Sequence, residues 1–326
     1  TRHRDRATSY YTREGDTTPA GESVANYDVV STDAGRVIAA LGISVISGGG
    51  LAPLRDAGFV VGVAGAGDVW LHPSVLPTAE RQANANLAIT HMPSSMAGKP
   101  ITAVRFEAAD DVSRRVSVFD ESTGILVYRI QTLGSLDTAR QNSMVMEFIS
   151  VRQTEPAWAG GSVPAWAQVG TQLVYEGSTM VNVGYGSSVI PMPTTMLARI
   201  VHVESTLAVV QVEQYLSGMK SGEMHSVTST VVPLGGIFLP PEALAVLKPG
   251  QVLDRDAITG VTVSVPENPV YIDGQPLLAL LFEGASFQRL FAYDRQSGTL
   301  VYLMELAREG IATTRREFKL TGVRRG

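Results

Sequence analysis

The side chains with the most distinctive chemistry in this chain are histidines that stand beside methionines. His91 is followed by Met92 and Met96, and Met224 directly precedes His225. Imidazole and thioether ligands together suit copper(I). Methionine also fills irregular cores, and two methionines four residues apart lie on one face of a strand. These five residues are the candidates for a metal site, with core packing as the alternative, and we otherwise expect no cofactor.

Acidic residues recur at matching positions in two parts of the chain, an arrangement that would suit acid–base catalysis. Glu107 corresponds to Glu283, and Asp120 corresponds to Asp294. Two carboxylates whose environments differ can act as acid and base. Both aspartates, however, are accounted for by turns, and both glutamates end predicted strands. We therefore expect no catalytic residue among them.

Two further enzyme classes can be judged from motifs. A hydrolase needs a nucleophile, a base and an orienting acid, and no histidine stands in a recognisable motif of that kind. The glycine-rich residues 62–68 suggest a dinucleotide site, but such a site needs a helix that begins at the glycines. Residues 69–73 are instead extended and then broken by proline. The sequence favours a protein without enzymatic activity, and a hydrolase or a copper-binding protein stays a third alternative.

Composition removes several other functions. The chain has 326 residues and no cysteine, which excludes disulfides, thiolate catalysis, zinc–thiolate sites and iron–sulfur clusters. Its net charge is -5 and its basic residues are scattered, unlike the surface of a nucleic-acid binder. No apolar run reaches the roughly 18 residues that a membrane-spanning helix requires. We therefore expect neither a nucleic-acid partner nor a transmembrane segment.

Any site in this chain must be positioned by β-strands, because helix signals are scarce. The chain contains 32 glycines and 17 prolines, with short runs rich in valine, isoleucine and threonine between them. Residues 116–119 and 261–265 alternate in the manner of half-buried strands. Helical turns are predicted at residues 77–85 and 241–247, where proline opens a stretch of helix formers. The predicted fold class is all-β with few short helices.

The second half of the chain repeats the pattern of the first, which predicts an internal duplication. The order of the matching blocks is kept, and their offsets stay between 168 and 176 residues. We expect each half to contribute a curved antiparallel sheet, the two forming either sandwich-like lobes or one large open barrel. The matching blocks are 69–73 with 237–241, 97–107 with 273–283, 118–128 with 292–302, and 147–148 with 317–318.

The residues that the two halves share most clearly are turn-formers. A glycine followed two residues later by proline predicts a turn that leads into a strand. The pattern Asp-x-x-(Thr/Ser)-Gly between apolar runs predicts a hairpin loop, in which aspartate caps the turn and glycine supplies a positive φ. The predicted turn residues are Gly98, Pro100, Asp120, Gly124, Gly274, Pro276, Asp294 and Gly298.

The domain organisation follows from these patterns. We predict a polar N-terminal arm at residues 1–26, a first β half at 27–155, a Pro/Trp linker at 156–168 and a second β half at 169–326. The arm is interpreted either as a flexible terminus or as a segment that docks on a neighbouring subunit.

Four aromatic residues are the candidate interaction sites. Tyr10 and Tyr11 would anchor the arm on a partner. Trp158 and Trp166 each follow a Pro-Ala pair in the linker. The two tryptophans either form a binding surface or fill the seam between the halves.

Two function classes remain. The first is a non-enzymatic structural or protein-interaction subunit of a surface or multi-subunit assembly, with protein partners or self-association. The alternative is a carrier that holds an apolar ligand such as a lipid in a curved β-sheet, because residues 277–282 are apolar on both faces. The chain begins with Thr1 and not Met, from which we expect removal of a signal sequence. We thus expect an extracytoplasmic protein of bacterial type: periplasmic, cell-surface or secreted.

Overall fold

The structure is a computed structural model of the chain. Strands make up 65% of it and helices 6%, so the predicted all-β fold class is confirmed. Within the described part, no helix has both the length and the apolar character that crossing a membrane requires. The described residues are 2–13, 16–32, 36–47, 50–51, 55–62, 65–66, 69–110, 112–133, 140–153, 158, 161–183, 191–232, 234–257, 259–309 and 311–325.

The chain divides into two compact units. The first contains Thr1–Ile46 and Val60–Gln153, and the second contains Ser47–Phe59 and Thr154–Gly326. Each unit has its own hydrophobic core, and each core lies against one face of an antiparallel sheet.

Two short helices are present among the described residues. A 3-10 helix, Pro73–Gln82, lies in the first unit, and α1, Pro241–Val246, lies in the second. Each begins with a proline, whose fixed φ and missing N–H suit the first turn of a helix. Both overlap the helical turns predicted at residues 77–85 and 241–247.

The remaining regular structure consists of strands, most of which connect to their sequence neighbours as hairpins. The strands are β1 (Arg2–Arg13), β2 (Asp16–Ser31), β3 (Val37–Ser47), β4 (Gly50–Leu51), β5 (Arg55–Gly62), β6 (Gly65–Ala66), β7 (Trp70–Leu71), β8 (Leu87–Met96), β9 (Lys99–Ala109), β10 (Ser113–Asp120), β11 (Leu126–Leu133), β12 (Arg140–Arg152), β13 (Gln172–Asn182), β14 (Met192–Val203), β15 (Leu207–Leu216), β16 (Met219–Ser229), β17 (Val252–Arg255), β18 (Thr262–Ser264), β19 (Val270–Ile272), β20 (Gln275–Glu283), β21 (Phe287–Tyr293), β22 (Leu300–Glu309) and β23 (Ala312–Arg324).

The first sheet has the strand order β4-β3-β2-β1-β12-β11-β10-β9-β8, with β5 paired to β3. Strand β1 lies inside this sheet and pairs antiparallel with β2 on one side and with β12 on the other. Where the sequence indicates a polar arm at residues 1–26, the structure therefore has two long strands. Polar residues are compatible with this position because a strand needs only backbone N–H and C=O groups to pair.

The second sheet has the order β16-β15-β14-β13-β23-β22-β21-β20-β18-β17, with β19 paired to β20. In both sheets the first long strand of the unit pairs with the last one, β1 with β12 and β13 with β23. On its other side, the first strand is followed by the next two strands of the chain, β2 and β3 in the first sheet and β14 and β15 in the second. The two sheets thus share one strand order around their central pair.

The apolar core of the second unit contains two buried tyrosines. The hydroxyl of Tyr175 donates to the carbonyl of Leu300, and that of Tyr293 donates to the carbonyl of Gly236, both at 3.0 Å. Burial raises the pKa of each phenol far above its ordinary value. Both hydroxyls therefore stay neutral donors, and they fix the carbonyl of Leu300 at the start of β22 and the loop carbonyl of Gly236.

Asp-x-x-(Thr/Ser)-Gly forms the same hairpin loop in both units. The Asp120 carboxylate accepts hydrogen bonds from Ser122 and Thr123, and the Asp294 carboxylate accepts from Ser297. The loop closes by a hydrogen bond from Gly124 N to Asp120 O at 2.8 Å. A third loop of this kind, at residues 256–260, is not part of the repeated blocks, and there Gly260 N donates to Asp256 O.

A crossing segment passes directly over the glycine of each repeated loop. In the second unit Leu239 N donates to Gly298 O and Leu300 N donates to Ile237 O, at 3.0 and 2.9 Å. A Cβ atom on Gly298 would lie 2.1 Å from the Leu239 carbonyl oxygen. In the first unit residues 69–71 cross Gly124 in the same way. Glycine is thus required at these loops by a positive φ and by the contact with the segment above.

An indole holds the carbonyl before this glycine in both units, although it comes from different parts of the chain. Trp70 Nε1 donates to Thr123 O at 3.1 Å, and Trp166 Nε1 donates to Ser297 O at 2.8 Å. Phe238 stands where the first unit has Trp70, and its ring meets Trp166 edge to face at 6.3 Å. Trp166 therefore belongs to the core of the second unit.

Asp120 makes the stability of the first unit sensitive to acid. Burial opposes ionisation of Asp120, but hydrogen bonds from Thr123 and Ser122 outweigh it and lower its pKa below the ordinary value of 3.8. The carboxylate therefore contributes its full stabilisation above about pH 4, and this is lost as the pH falls through the folded pKa. We expect Asp120→Asn to lower stability by about 1 kcal/mol at pH 6 and by less at pH 3. The urea midpoints of wild type and Asp120→Asn, followed by circular dichroism, should converge as the pH is lowered. A difference between the two midpoints that is independent of pH would contradict this role.

Candidate ligand-binding cavity

The second unit contains a cavity of about 400 Å³. Its walls come from β14, β15 and β16 on one side and from β21, β22 and β23 on the other, with residues 235–237 between them. In a flat sheet β16 and β21 would stand roughly 29 Å apart, since neighbouring strands are about 4.8 Å apart. Because both strands line one cavity, the sheet is curved around it.

Residues 235–237 lie between β16 and β21 and bridge these two strands of the curved sheet. Ile237 N donates to Thr228 Oγ1 on β16 at 3.1 Å, and Tyr293 on β21 donates to Gly236 O. A Cβ atom on Gly236 would lie 2.1 Å from Thr228 Oγ1, so only glycine allows this approach. The cavity wall is thus completed by a loop that is bonded to both β16 and β21.

The inner part of the cavity is apolar. Phe291 on β21 and Leu303 on β22 stand opposite each other and line the cavity. Phe318, opposite Leu303 on β23, is buried beside them. Across the cavity, Val212 and Met224 are paired on β15 and β16. An apolar molecule that entered here would replace water along aromatic and aliphatic walls, which is the favourable exchange in most small-molecule sites.

The other end of the cavity carries a row of charged side chains, named here the charged row: Arg289, Glu305 and Arg316. They are direct cross-strand neighbours on β21, β22 and β23. Arg289 Nε lies 3.0 Å from Glu305 Oε1, and Arg316 Nη1 lies 3.8 Å from Glu305 Oε2. Gln214 and Thr314 also line the cavity. The cavity is therefore amphipathic along its length.

The histidines and methionines singled out as metal candidates are separated by the strands that carry them. Met224 lines the cavity, whereas its neighbour His225 is exposed, because successive residues of a strand face opposite ways. His91 and Met92 diverge for the same reason. Nitrogen atoms of His91 lie 3.5 Å from Glu121 and 3.9 Å from Glu80. Met96 lies half-buried near the end of β8.

No group of three or more histidine, cysteine, aspartate or glutamate side chains with metal-binding geometry occurs in the described part of the chain. That finding concerns oxygen, nitrogen and thiolate ligands. At His91–Met92 and at Met224–His225, the imidazole and the adjacent thioether lie on opposite faces of their strand. The structure thus lends no geometric support to the copper hypothesis.

The interaction candidates lie in less accessible places than the sequence indicates. Trp158 is 4% exposed, and its Nε1 donates to the carbonyl of Thr230. Trp166 is half-buried against Phe238. Both tryptophans thus contribute to the core of the second unit. The backbone of Tyr10 and Tyr11 is part of β1, and their side chains lie outside the described residues.

The paired glutamates each have a partner on the neighbouring strand. A hydrogen bond from Arg114 lowers the pKa of Glu107 against the effect of burial, and the charge of Arg105 lowers it further. Glu283 accepts a hydrogen bond from Gln288 at 2.6 Å. These contacts describe ordinary cross-strand pairs.

A shallower hollow of about 430 Å³ lies on the first unit, on the sheet face opposite its main core. Arg105, Arg114 and Tyr128 line it together with valines of β10. Both arginines are paired with Glu107. It lacks the closed walls of the cavity in the second unit, so we take the latter as the candidate site.

Comparison with known proteins adds no functional assignment. No family model and no curated protein matches the chain. A crystal structure of a protein of unknown function from the DUF3598 family of Nostoc punctiforme is similar over 98% of this chain and 95% of that chain, with 11% identity and a TM-score of 0.16. A structure of PNGF-II is similar over 99% of this chain and 69% of that chain, with 7% identity and a TM-score of 0.19. At these scores neither likeness transfers a property to this chain.

Proposed function

We propose that this chain is a carrier that binds an apolar or amphipathic small molecule in the cavity of its second unit. The observation that carries the proposal is a cavity of about 400 Å³ walled by six strands of one sheet. This volume falls within the range of about 300–1,000 Å³ that small-molecule sites occupy. It corresponds to about 13 water molecules at roughly 30 Å³ each.

The residues around the cavity support this role. Phe291, Leu303 and Phe318 are buried next to the cavity, so its apolar wall is shielded from bulk water. Tyr175 and Tyr293 fix the lining residues Leu300 and Gly236 by hydrogen bonds to their backbone carbonyls. A preformed site of this kind binds with little reorganisation.

The structural-subunit hypothesis loses two of its supports. The residues interpreted as a docking arm lie in β1 and β2, and Trp158 is buried in a core. We therefore place the carrier first and keep an interaction role, like the extracytoplasmic location, as a prediction.

Ligand binding can be tested with a neutral hydrophobic probe and a cavity-filling variant. Val212 lines the cavity, so in Val212→Trp the indole would extend into it and narrow the space for a ligand. We expect the affinity for Nile red, measured by fluorescence titration, to fall about tenfold or more. Val201→Trp is the matched control, because Val201 lies on the neighbouring strand β14, is 37% exposed and does not line the cavity.

A second measurement identifies natural ligands. Mass spectrometry of an organic extract of the purified protein should show a co-purifying amphipathic compound that is depleted from Val212→Trp. The proposal fails if wild-type protein neither binds Nile red nor yields such a compound, or if both tryptophan variants bind equally well.

We also propose that the two units descend from one duplicated unit. Its support is the common strand order, the pairing of first and last strands, and the loops of Gly124 and Gly298 under equivalent crossing segments. In strand pairing, Glu147 lies opposite Tyr128 and Lys319 lies opposite Tyr302. Strand pairing therefore makes Glu147 equivalent to Lys319, two residues further along than the sequence match of 147–148 with 317–318.

A further inference from the structure

The charged row of the second unit has unequal charge: Arg289 and Arg316 flank the single carboxylate of Glu305. We infer that this row receives the head group of a singly charged anionic amphiphile, such as a long-chain carboxylate, whose tail enters the apolar part of the cavity. The inference rests on the proposed carrier function and adds the chemical class of the ligand.

Arg289 is the more firmly placed half of this anion site. Its side chain is only 14% exposed, and its Nε lies 3.0 Å from Glu305 Oε1. Glu305 is shared with Arg316, so two guanidinium groups have one carboxylate between them. A guanidinium that is largely shielded from water raises the free energy of the protein unless it is paired and hydrogen-bonded. A ligand carboxylate that accepts from the terminal Nη atoms of Arg289 would offset part of that cost.

Arg316 is held more loosely and can turn toward a ligand. Its Nη1 is 3.8 Å from Glu305 Oε2, beyond hydrogen-bonding distance, and its side chain is 44% exposed. Glu305 therefore neutralises only one of its two neighbours. An anion at the row would complete the charge balance, whereas a cationic head group would be repelled by two guanidinium groups.

The position of the charged row suits a molecule with a head and a tail. Phe291, Leu303 and Phe318 stand two residues further along the same three strands. Two residues of a strand span about 7 Å. A head group at the charged row thus places the first methylenes of its chain on Phe291 and Leu303, the two members of the next row that line the cavity.

The experiment compares ligands with one tail and different heads, titrated calorimetrically below their aggregation concentrations. The ligands are laurate, dodecanol, dodecyltrimethylammonium and dodecyl phosphate. We expect wild-type protein to bind laurate about tenfold or more tightly than dodecanol, and the cation least tightly. Comparison of laurate with dodecyl phosphate shows which anionic head group the site prefers. The inference is supported if either of these anions binds more tightly than dodecanol.

Three variants test the individual charges. Arg289→Met and Arg316→Met should weaken laurate binding about tenfold each and change dodecanol binding by less than about twofold. Glu305→Gln removes the competing carboxylate and should strengthen laurate binding several-fold. Circular dichroism melts establish that each variant is folded, and the exposed Arg316→Met stays informative if Arg289→Met does not fold.

The outcomes separate this inference from the proposed function. If dodecanol binds, Val212→Trp blocks it, and laurate is not preferred, the head-group assignment is overturned while the carrier proposal stands. An unchanged laurate preference in all three variants has the same meaning. If no amphiphile binds wild-type protein, both the carrier function and the head-group assignment fail.

Discussion

Replacing Gly298 with alanine is expected to lower the free energy of unfolding of the second unit by about 3 kcal/mol or more. The φ of Gly298 is +71°, a region that costs an L-residue about 1–2 kcal/mol. The new Cβ would also lie 2.1 Å from the carbonyl oxygen of Leu239. Relieving that clash requires the crossing segment to move, which breaks the two hydrogen bonds that tie it to the loop, each worth about 1 kcal/mol.

Gly260→Ala is the matched control, since it stands at the same place in a loop of the same pattern. Its φ is +69°, yet nothing lies within 4 Å of the position of a Cβ. We expect a loss of only about 1 kcal/mol for this variant. Thermal melts should place Gly298→Ala on the order of 10 °C below wild type and Gly260→Ala a few degrees below. Equal losses for the two variants would show that the crossing segment adds nothing to the requirement for glycine.

Phe238→Ala is the second change with a large expected effect, about 3–5 kcal/mol in the free energy of unfolding. Phe238 has no exposed surface, and its ring meets Trp166 edge to face at 6.3 Å with an interplanar angle of 86°. Truncation leaves a void beneath the crossing segment and removes the support of Trp166. Because the adjacent Ile237 lines the cavity, Nile red affinity should fall as well.

Tyr271→Ala removes an aromatic ring from the same unit and serves as the control. Tyr271 is 63% exposed, so its loss should change stability by no more than about 0.5 kcal/mol. Urea unfolding followed by tryptophan fluorescence reports on the second unit through Trp158 and Trp166 and on the first unit through Trp70. If the urea midpoint of Phe238→Ala is as high as that of Tyr271→Ala, the Phe238 ring does not support the crossing segment and Trp166.

The sequence predicts best those structural features that depend on residues close to one another in the chain. The loops at Asp120 and Asp294 form because carboxylate, hydroxyl and glycine lie within five positions of one another. The fold class follows similarly from the alternation of runs such as residues 116–119. Pro73–Gln82 and α1 begin with proline, which is also a local signal.

The nature of the N-terminal segment is not predicted, because its structure depends on distant partners. Residues 2–13 have no apolar alternation, and they become a strand by pairing with residues 140–152. Nothing in a local window indicates such a pairing. The same holds for Trp166, whose hydrogen-bond acceptor at Ser297 lies 131 positions away.

The candidate site was missed for a related reason. Arg289, Glu305 and Arg316 come from three strands and look like ordinary surface charges in the sequence. A faint signal exists, since each has a large apolar residue two positions away, Phe291, Leu303 and Phe318, on the same strand face. Only the register of β21, β22 and β23 turns these pairs into a charged row above an apolar one.

The pairing of first and last strands has a consequence for how the chain folds during synthesis. Leu173 on β13 pairs with Val323 on β23, so the centre of the second sheet joins residues 150 positions apart. Closing so long a loop delays the pairing and slows folding. Until β23 leaves the ribosome, β13 and β22 lack the strand that separates them, and each presents an unpaired edge. A chaperone that shields strand edges should therefore matter most for nascent chains that lack only their final strand.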